Sequence, residues 1–153
     1  MDRRRQRLGL WVAFLAAHAW LTWLGVRVVA SEAFYDVDLY RWWMALGLQA
    51  GQWPVLHEAW VYPAGAIVPM LLPALVTTTS TPGYALAWCL LVTVLDAAAL
   101  ALLLRRGRGR SVAGWWWTAF LVLLGPVAIG RLDAVVAALM VASLVAATER
   151  SID

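Results

Sequence analysis

The sequence predicts an all-α integral membrane protein, with about four transmembrane helices and further helices at one membrane face. Three observations carry that expectation. Of 153 residues, 63% are hydrophobic and only 14% charged, with a mean hydropathy of +0.74; a soluble domain carries about 25% charge. Long uncharged runs alternate with short polar breaks. Every basic residue is an arginine, and most of them gather in two clusters. The formal charge of +3 therefore reads as topology and not as a nucleic-acid signal. The single cysteine, Cys89, lies in an apolar run, which leaves no disulfide framework and suits a small core residue.

The chain reads as one membrane domain over 1–153. Residues 1–7 are a basic head with Arg3, Arg4, Arg5 and Arg7. Leu8 to Val26 is uncharged over 19 residues, enough for a hydrocarbon core of about 30 Å, so a first span is placed at 8–30. The competing reading is a signal peptide cleaved near Val28-Val29-Ala30. The apolar run exceeds the ~7–15 residues of a signal core, which favours an uncleaved span.

Residues 31–82 form the outer loop, and Arg27 to Tyr62 is the long hydrophilic stretch, with Glu32, Asp36, Asp38 and Glu58 against Arg27 and Arg41. From Asp36 to Ala50, Val37, Tyr40, Trp43, Met44 and Leu46 recur near helical spacing, so a short helix is expected with one side in the interface. Gly47 weakens it and Gly51 can end it. Trp42, Trp43, Trp53 and Trp60 suit the headgroup level.

Ala59 to Leu95 is uncharged for 37 residues, broken by Thr77-Thr78-Thr79-Ser80-Thr81-Pro82-Gly83. Its first piece, 63–76, has 14 residues and reaches only about 21 Å at ~1.5 Å per residue, so a re-entrant helix is expected there. The second piece, 84–104, spans easily. A cytoplasmic loop at 105–111 carries Arg105, Arg106, Arg108 and Arg110. Spans at 112–129 and 134–148 flank Gly130-Arg131-Leu132-Asp133. Trp115-Trp116-Trp117 reads as an aromatic anchor at the inner interface.

The arginines set the orientation. Both clusters belong in the cytoplasm, so an even number of crossings separates them. That number is two if 63–76 dips without crossing. The N-terminus is then cytoplasmic, and the Asp36 loop and Gly130–Asp133 meet on the outer face of a multi-pass cell-membrane protein.

Asp36 and Asp38 are the residues with chemistry to explain. In an extended segment both side chains point the same way; on a helix they diverge by about 200°. Asp36 and Tyr40 stack on a helix. A carboxylate at the interface can act as general base toward a sugar or lipid hydroxyl, or hold a divalent metal with a second carboxylate. Both roles compete with plain helix N-capping. His57 and Glu58 are too few for a metal site, and no metal ligand set is assigned. Asp96, within a span, is expected to hydrogen-bond Thr93 or a neighbouring helix, and His18 to be a hydrogen-bonded packing residue. N-capping of the last span is expected for Asp133, with an acceptor-binding role as the alternative. Arg41 and Arg131, besides Arg27, are the outward arginines, and interfacial snorkelling is their bland reading.

The order Asp36-Val37-Asp38-Leu39-Tyr40, Gly51-Gln52-Trp53-Pro54, Trp60-Val61-Tyr62-Pro63 resembles the first outer loop of GT-C glycosyltransferases. It is most similar to glycosyltransferase family 87, bacterial mannosyltransferases that use polyprenyl-phosphate-mannose. Asp96 within a span and Gly125-Pro126…Gly130-Arg131-Leu132-Asp133 resemble later GT-C features. Ala64 stands where the family has a second Pro, and Val55 where it has an aromatic. The resemblance covers roughly 8–148 but only the N-terminal third of such enzymes, so the chain is expected to be a partial one, a GT-C-like N-terminal module.

The resemblance implies an inverting hexosyl transfer, mannosyl first of all, from a polyprenyl-phosphate-sugar donor to a lipid or glycan acceptor. Asp36 would be the base with Asp38 in support, and Tyr40, Arg41, Trp60, Tyr62, Arg131 and Asp133 would bind substrate. No cofactor beyond an optional divalent metal is implied, and membrane lipid is the standing partner. The alternative is a small non-catalytic membrane protein that pairs with a second membrane chain. A small transporter fits less well, because the polar groups gather on one face.

Overall fold

The computed structural model describes residues 3–57, 60–105 and 110–150. Arg106, Arg108 and Glu58 lie outside them. All elements among the described residues are helical. Helix α1 (Arg3–Trp23) runs on through a π-helical turn at Leu24–Val28. Then come α2 (Ala30–Ala33), α3 (Tyr35–Ala50), α4 (Pro54–His57), α5 (Ile67–Ala74), α6 (Thr81–Arg105), α7 (Arg110–Leu124) and α8 (Leu132–Arg150). Three helical stretches are long and apolar enough to cross a membrane: Arg4–Val28, Thr81–Arg105 and Ser111–Ala128. The apolar part of α8, Leu132–Ala147, is shorter than these.

Helix α6 is the central post, packed by α1, α3, α5, α7 and α8. Its buried residues Tyr84, Trp88, Val92, Asp96 and Leu100 recur every four positions, which stacks them on one face. Ser80 starts the helix: its Oγ accepts the Gly83 N–H at 3.1 Å, as an N-cap does. Opposite, α1 contributes Leu10, Phe14, His18 and Leu21, each almost wholly buried.

The bundle has two distinct ends. At one, Arg7 Nη2 donates to the Leu104 carbonyl at 3.4 Å, so the start of α1 lies beside the end of α6. At the other, Thr81 Oγ1 donates to Asp38 at 2.9 Å, so α3 lies over the start of α6. Helix α5 has eight residues, about 12 Å at ~1.5 Å per residue. Its flanks stay near α3: Tyr62 precedes it against Tyr40, and Thr78 follows it against Arg41.

Helix α3 matches the sequence expectation in its bounds and in Gly51, which ends it at φ +69°, a left-handed conformation that glycine adopts without a Cβ penalty. Its apolar face departs from expectation. Val37, Tyr40, Trp43 and Met44 face the protein core, with Leu46 only partly covered. Gly47 does more than weaken the helix. A Cβ there would strike the Trp53 ring, so the glycine lets the chain fold back after Gly51.

Candidate functional site

The junction between α3 and the start of α8 is set by one aromatic ring. Phe34, the residue before α3, is 3% exposed and packs between Gly25 and Gly130, where any Cβ would meet its ring. Added bulk at Gly130 would also approach the Ala33 carbonyl to 2.8 Å. The 129–132 turn is clamped from two further sides. Trp88 Nε1 donates to the Ile129 carbonyl at 2.8 Å. The Tyr40 hydroxyl accepts the Leu132 N–H at 3.3 Å, satisfying one of the donors that a helix N-terminus leaves unpaired.

This clamp brings Arg131 to Asp36, with Arg131 Nε 3.4 Å from Asp36 Oδ2. The Arg131 side chain is 54% exposed and that of Asp36 26%. The spacing exceeds that of a charge-assisted hydrogen bond, about 2.7–2.9 Å, and more than half of the Arg131 side chain is open to solvent. Asp36 is the second residue of α3 and Phe34 its cap, with no side-chain capping bond. N-capping by Asp36 is therefore not what the fold uses, although a carboxylate in the first turn still suits the helix dipole. Asp133 likewise is not a cap. Helix α8 begins one residue earlier, at Leu132, and Asp133 sits exposed in its first turn.

Asp38 faces elsewhere, as two residues on a helix must. Its Oδ1 accepts from Arg41 Nε at 2.7 Å and from Thr81. Arg41 Nη1 in turn donates to the Thr78 carbonyl at 2.7 Å. The Arg41 hydrogen bond holds the Asp38 carboxyl below its usual range; partial burial opposes this and Thr81 assists. Asp38 and Arg41 thus form a latch from α3 to the start of α6, and the paired-carboxylate geometry does not form.

Tyr40 is fully buried. Burial pushes its hydroxyl well above the ordinary tyrosine value, with the neighbouring Tyr62 hydroxyl at 3.4 Å adding to the effect. It stays a neutral phenol. Trp43, Trp60 and Tyr62 complete an aromatic cluster around it, with the Trp43 and Trp60 rings 5.0 Å apart. Trp60 Nε1 donates to the Pro63 carbonyl at 3.4 Å, which shapes the turn before α5. Tyr40 and Arg41 are thus engaged inside the fold, whereas Asp36, Arg131 and Asp133 reach solvent. Among the described residues no group of three His, Cys, Asp or Glu gathers. His57 Nδ1 accepts the Trp53 N–H at 3.1 Å, within its own turn.

From Arg131 and Asp133 an apolar groove of about 650 Å³ descends between α6, α7 and α8. Phe120, Ala137 and Trp116 line it, and Asp96 stands in its wall. Phe34, Trp88 and Thr81 carry no signal of these roles in sequence. Phe34 and Trp88 look like ordinary apolar residues until their contacts are known. Thr81 belongs in sequence to the polar break at 77–83.

Comparison with protein-family models, with curated proteins and with solved structures finds no match for this chain.

Proposed function

We propose that the chain is an integral membrane protein whose α3–α8 junction is the headgroup site of a GT-C-type hexosyl transfer. The observation that carries the reading is the Asp36–Arg131 pair, a carboxylate and an exchangeable guanidinium at the mouth of an apolar groove. A lipid-linked sugar phosphate needs that combination: a cation for the phosphate, a base for the acceptor, and apolar surroundings for the chain.

In this reading α1, α6, α7 and a short α8 cross the membrane, and α5 dips without crossing. The arginine-rich end, held together by Arg7 and Leu104, is cytoplasmic by the positive-inside rule. The junction then faces outward. The donor phosphate draws Arg131 from Asp36 and is gripped through two guanidinium donors. The acceptor hydroxyl oxygen bonds to the anomeric carbon from the side opposite the phosphate, and its proton passes to Asp36. The bond from the anomeric carbon to the phosphate oxygen breaks, and its electron pair leaves with the polyprenyl phosphate. Attack opposite the leaving group inverts the anomeric configuration. Mannose is the favoured sugar and a lipid or glycan the acceptor, on the family resemblance.

The test is transfer by the protein in nanodiscs, given polyprenyl-phosphate-mannose and a lipid acceptor. Asp36→Asn is expected to lower the rate about 10²–10⁴-fold, the usual contribution of a positioned base. Membrane insertion should be unchanged. Arg131→Gln should raise the donor KM. Transfer by Asp36→Asn at the unmodified rate would sink the assignment of the base.

A further inference from the structure

A second groove, of about 480 Å³, lies between α1 and α6 and shares no lining residue with the groove below Arg131. Residue spacing builds it. On α1, Leu15, Ala19, Trp23 and Val26 line it; on α6, Pro82, Leu86 and Leu90 face them. Steps of three and four place each set along one stripe of its helix. Between the stripes, Cys89 and His18, the latter 3.1 Å from Asp96 Oδ2, lie buried as the floor. The walls are open: Leu15, Leu86 and Leu90 are each more than half exposed.

One end of this groove is charged. Arg27, exposed in the π-helical turn after α1, lines it. Among the described residues no other arginine and no carboxylate lines the groove. Ion pairs engage Arg41 and Arg131, but none among the described residues engages Arg27. Trp23, one turn before Arg27, is half exposed and suits the headgroup level, where an indole meets both solvents. From Arg27 to Leu15 is twelve residues, about 18 Å at ~1.5 Å per residue. One leaflet of a hydrocarbon core about 30 Å thick has a depth of about 15 Å. The groove is therefore about as long as one leaflet is deep, with its guanidinium at the water-facing end.

We propose that this groove binds an anionic glycerophospholipid, with one acyl chain between α1 and α6 and the phosphate on Arg27. Charge selects the occupant. An acyl chain that leaves other chains for an apolar groove gains little, so the walls accept any lipid and the headgroup decides. A guanidinium grips a phosphate through two donors. A headgroup of net negative charge adds attraction that a zwitterionic one, carrying its own cation, lacks. The inference rests on the membrane placement proposed above but not on the transfer chemistry.

The probe is phosphatidylglycerol with a photoactivatable diazirine midway along one acyl chain, compared with phosphatidylcholine bearing the same chain. Each is doped into phosphatidylcholine nanodiscs holding the protein, and labelled peptides are mapped by mass spectrometry. Labelling around Leu15, Leu86 and Leu90 is expected to be about fivefold stronger from phosphatidylglycerol, the contribution of one arginine at a membrane surface. Arg27→Gln should bring it down to the phosphatidylcholine level, and Arg27→Lys, which keeps the charge, should hold most of the preference. Ala19→Trp fills the groove and should lower labelling there by both lipids. Inorganic phosphate, set against chloride at equal ionic strength, should not displace the lipid; displacement would overturn the proposal in favour of a free-phosphate site. Equal labelling by the two lipids, a preference that survives Arg27→Gln, or labelling spread evenly over all lipid-facing helices also overturns it. Loss of transfer on Asp36→Asn does not bear on it, and a protein that fails to enter nanodiscs overturns the membrane placement itself.

Discussion

Two of the acid–base pairs among the described residues join distant parts of the chain, and they differ in almost everything else. Asp36 and Arg131 meet at 3.4 Å with side chains 26% and 54% exposed. His18 and Asp96 meet at 3.1 Å with 2% exposed on each side. Water and ions can replace either partner at the first pair, so that contact can open for a ligand at little energetic cost. Nothing in an apolar interior can replace the partner at the second, so that contact must persist once the helices pack. One pair is placed to exchange, the other to hold α1 against α6.

The largest expected effect breaks the buried pair. His18→Leu leaves Asp96 without its bonded partner and should destabilise the protein by about 3–5 kcal/mol, measured by unfolding in mixed micelles. Adding Asp96→Leu should return most of that loss, because two apolar residues need no partner. A double variant as unstable as the single one would show that the cost is packing and not an orphaned polar group. At the junction, Asp36→Asn should instead leave stability within about 1 kcal/mol, as for exposed ion pairs, while transfer falls.

Tyr40→Phe comes next. It keeps the ring but removes the acceptor for the Leu132 N–H, and should cost about 1–3 kcal/mol. If the hydroxyl serves to hold the α8 start opposite Asp36, the donor KM should rise as Arg131 loses its position. A variant with the stability loss but an unchanged KM would confine Tyr40 to packing.

The smallest effect is electrostatic. The Asp38 carboxyl is held below its ordinary value of 3.8, first by the Arg41 hydrogen bond. A carboxyl lowered in the folded state contributes stability above its unfolded value and loses it as pH falls through the lower folded value. Wild-type stability should therefore drop more steeply than that of Asp38→Asn as pH falls below about 4. The difference should stay under about 1 kcal/mol, because the Asp38 side chain is 45% exposed and solvent screens the pair. Equal slopes would mean that the α3–α6 latch contributes nothing to folding.

Much of the helical layout was legible in sequence, because helix periodicity and helix ends are local. The start of α3 near Asp36, its end at Gly51, the brevity of α5 and the long apolar α6 all follow from residue spacing and glycine chemistry. The fourth long helix was only partly legible. The 132–147 stretch is apolar and helical but shorter than the other three, and composition alone did not separate the two cases.

The candidate site was legible as a set of residues and not as a geometry. Asp36, Asp38, Tyr40, Arg41 and Arg131 were all singled out, yet nothing local distinguishes an acid that meets a cation on another helix from one latched to its own helix three residues on. By itself the sequence determined that the chain is helical, that α3 ends at Gly51, that α6 is long and apolar, and which polar residues lie between or within apolar runs, since each depends on neighbours a few positions away. The tertiary structure alone decided that Asp36 faces Arg131 while Asp38 faces Arg41 and Thr81, that Tyr40 serves the α8 terminus, and that His18 finds Asp96. Those pairings depend on which helix faces meet, and that is set by packing such as Phe34 between Gly25 and Gly130, contacts that no short window of residues contains.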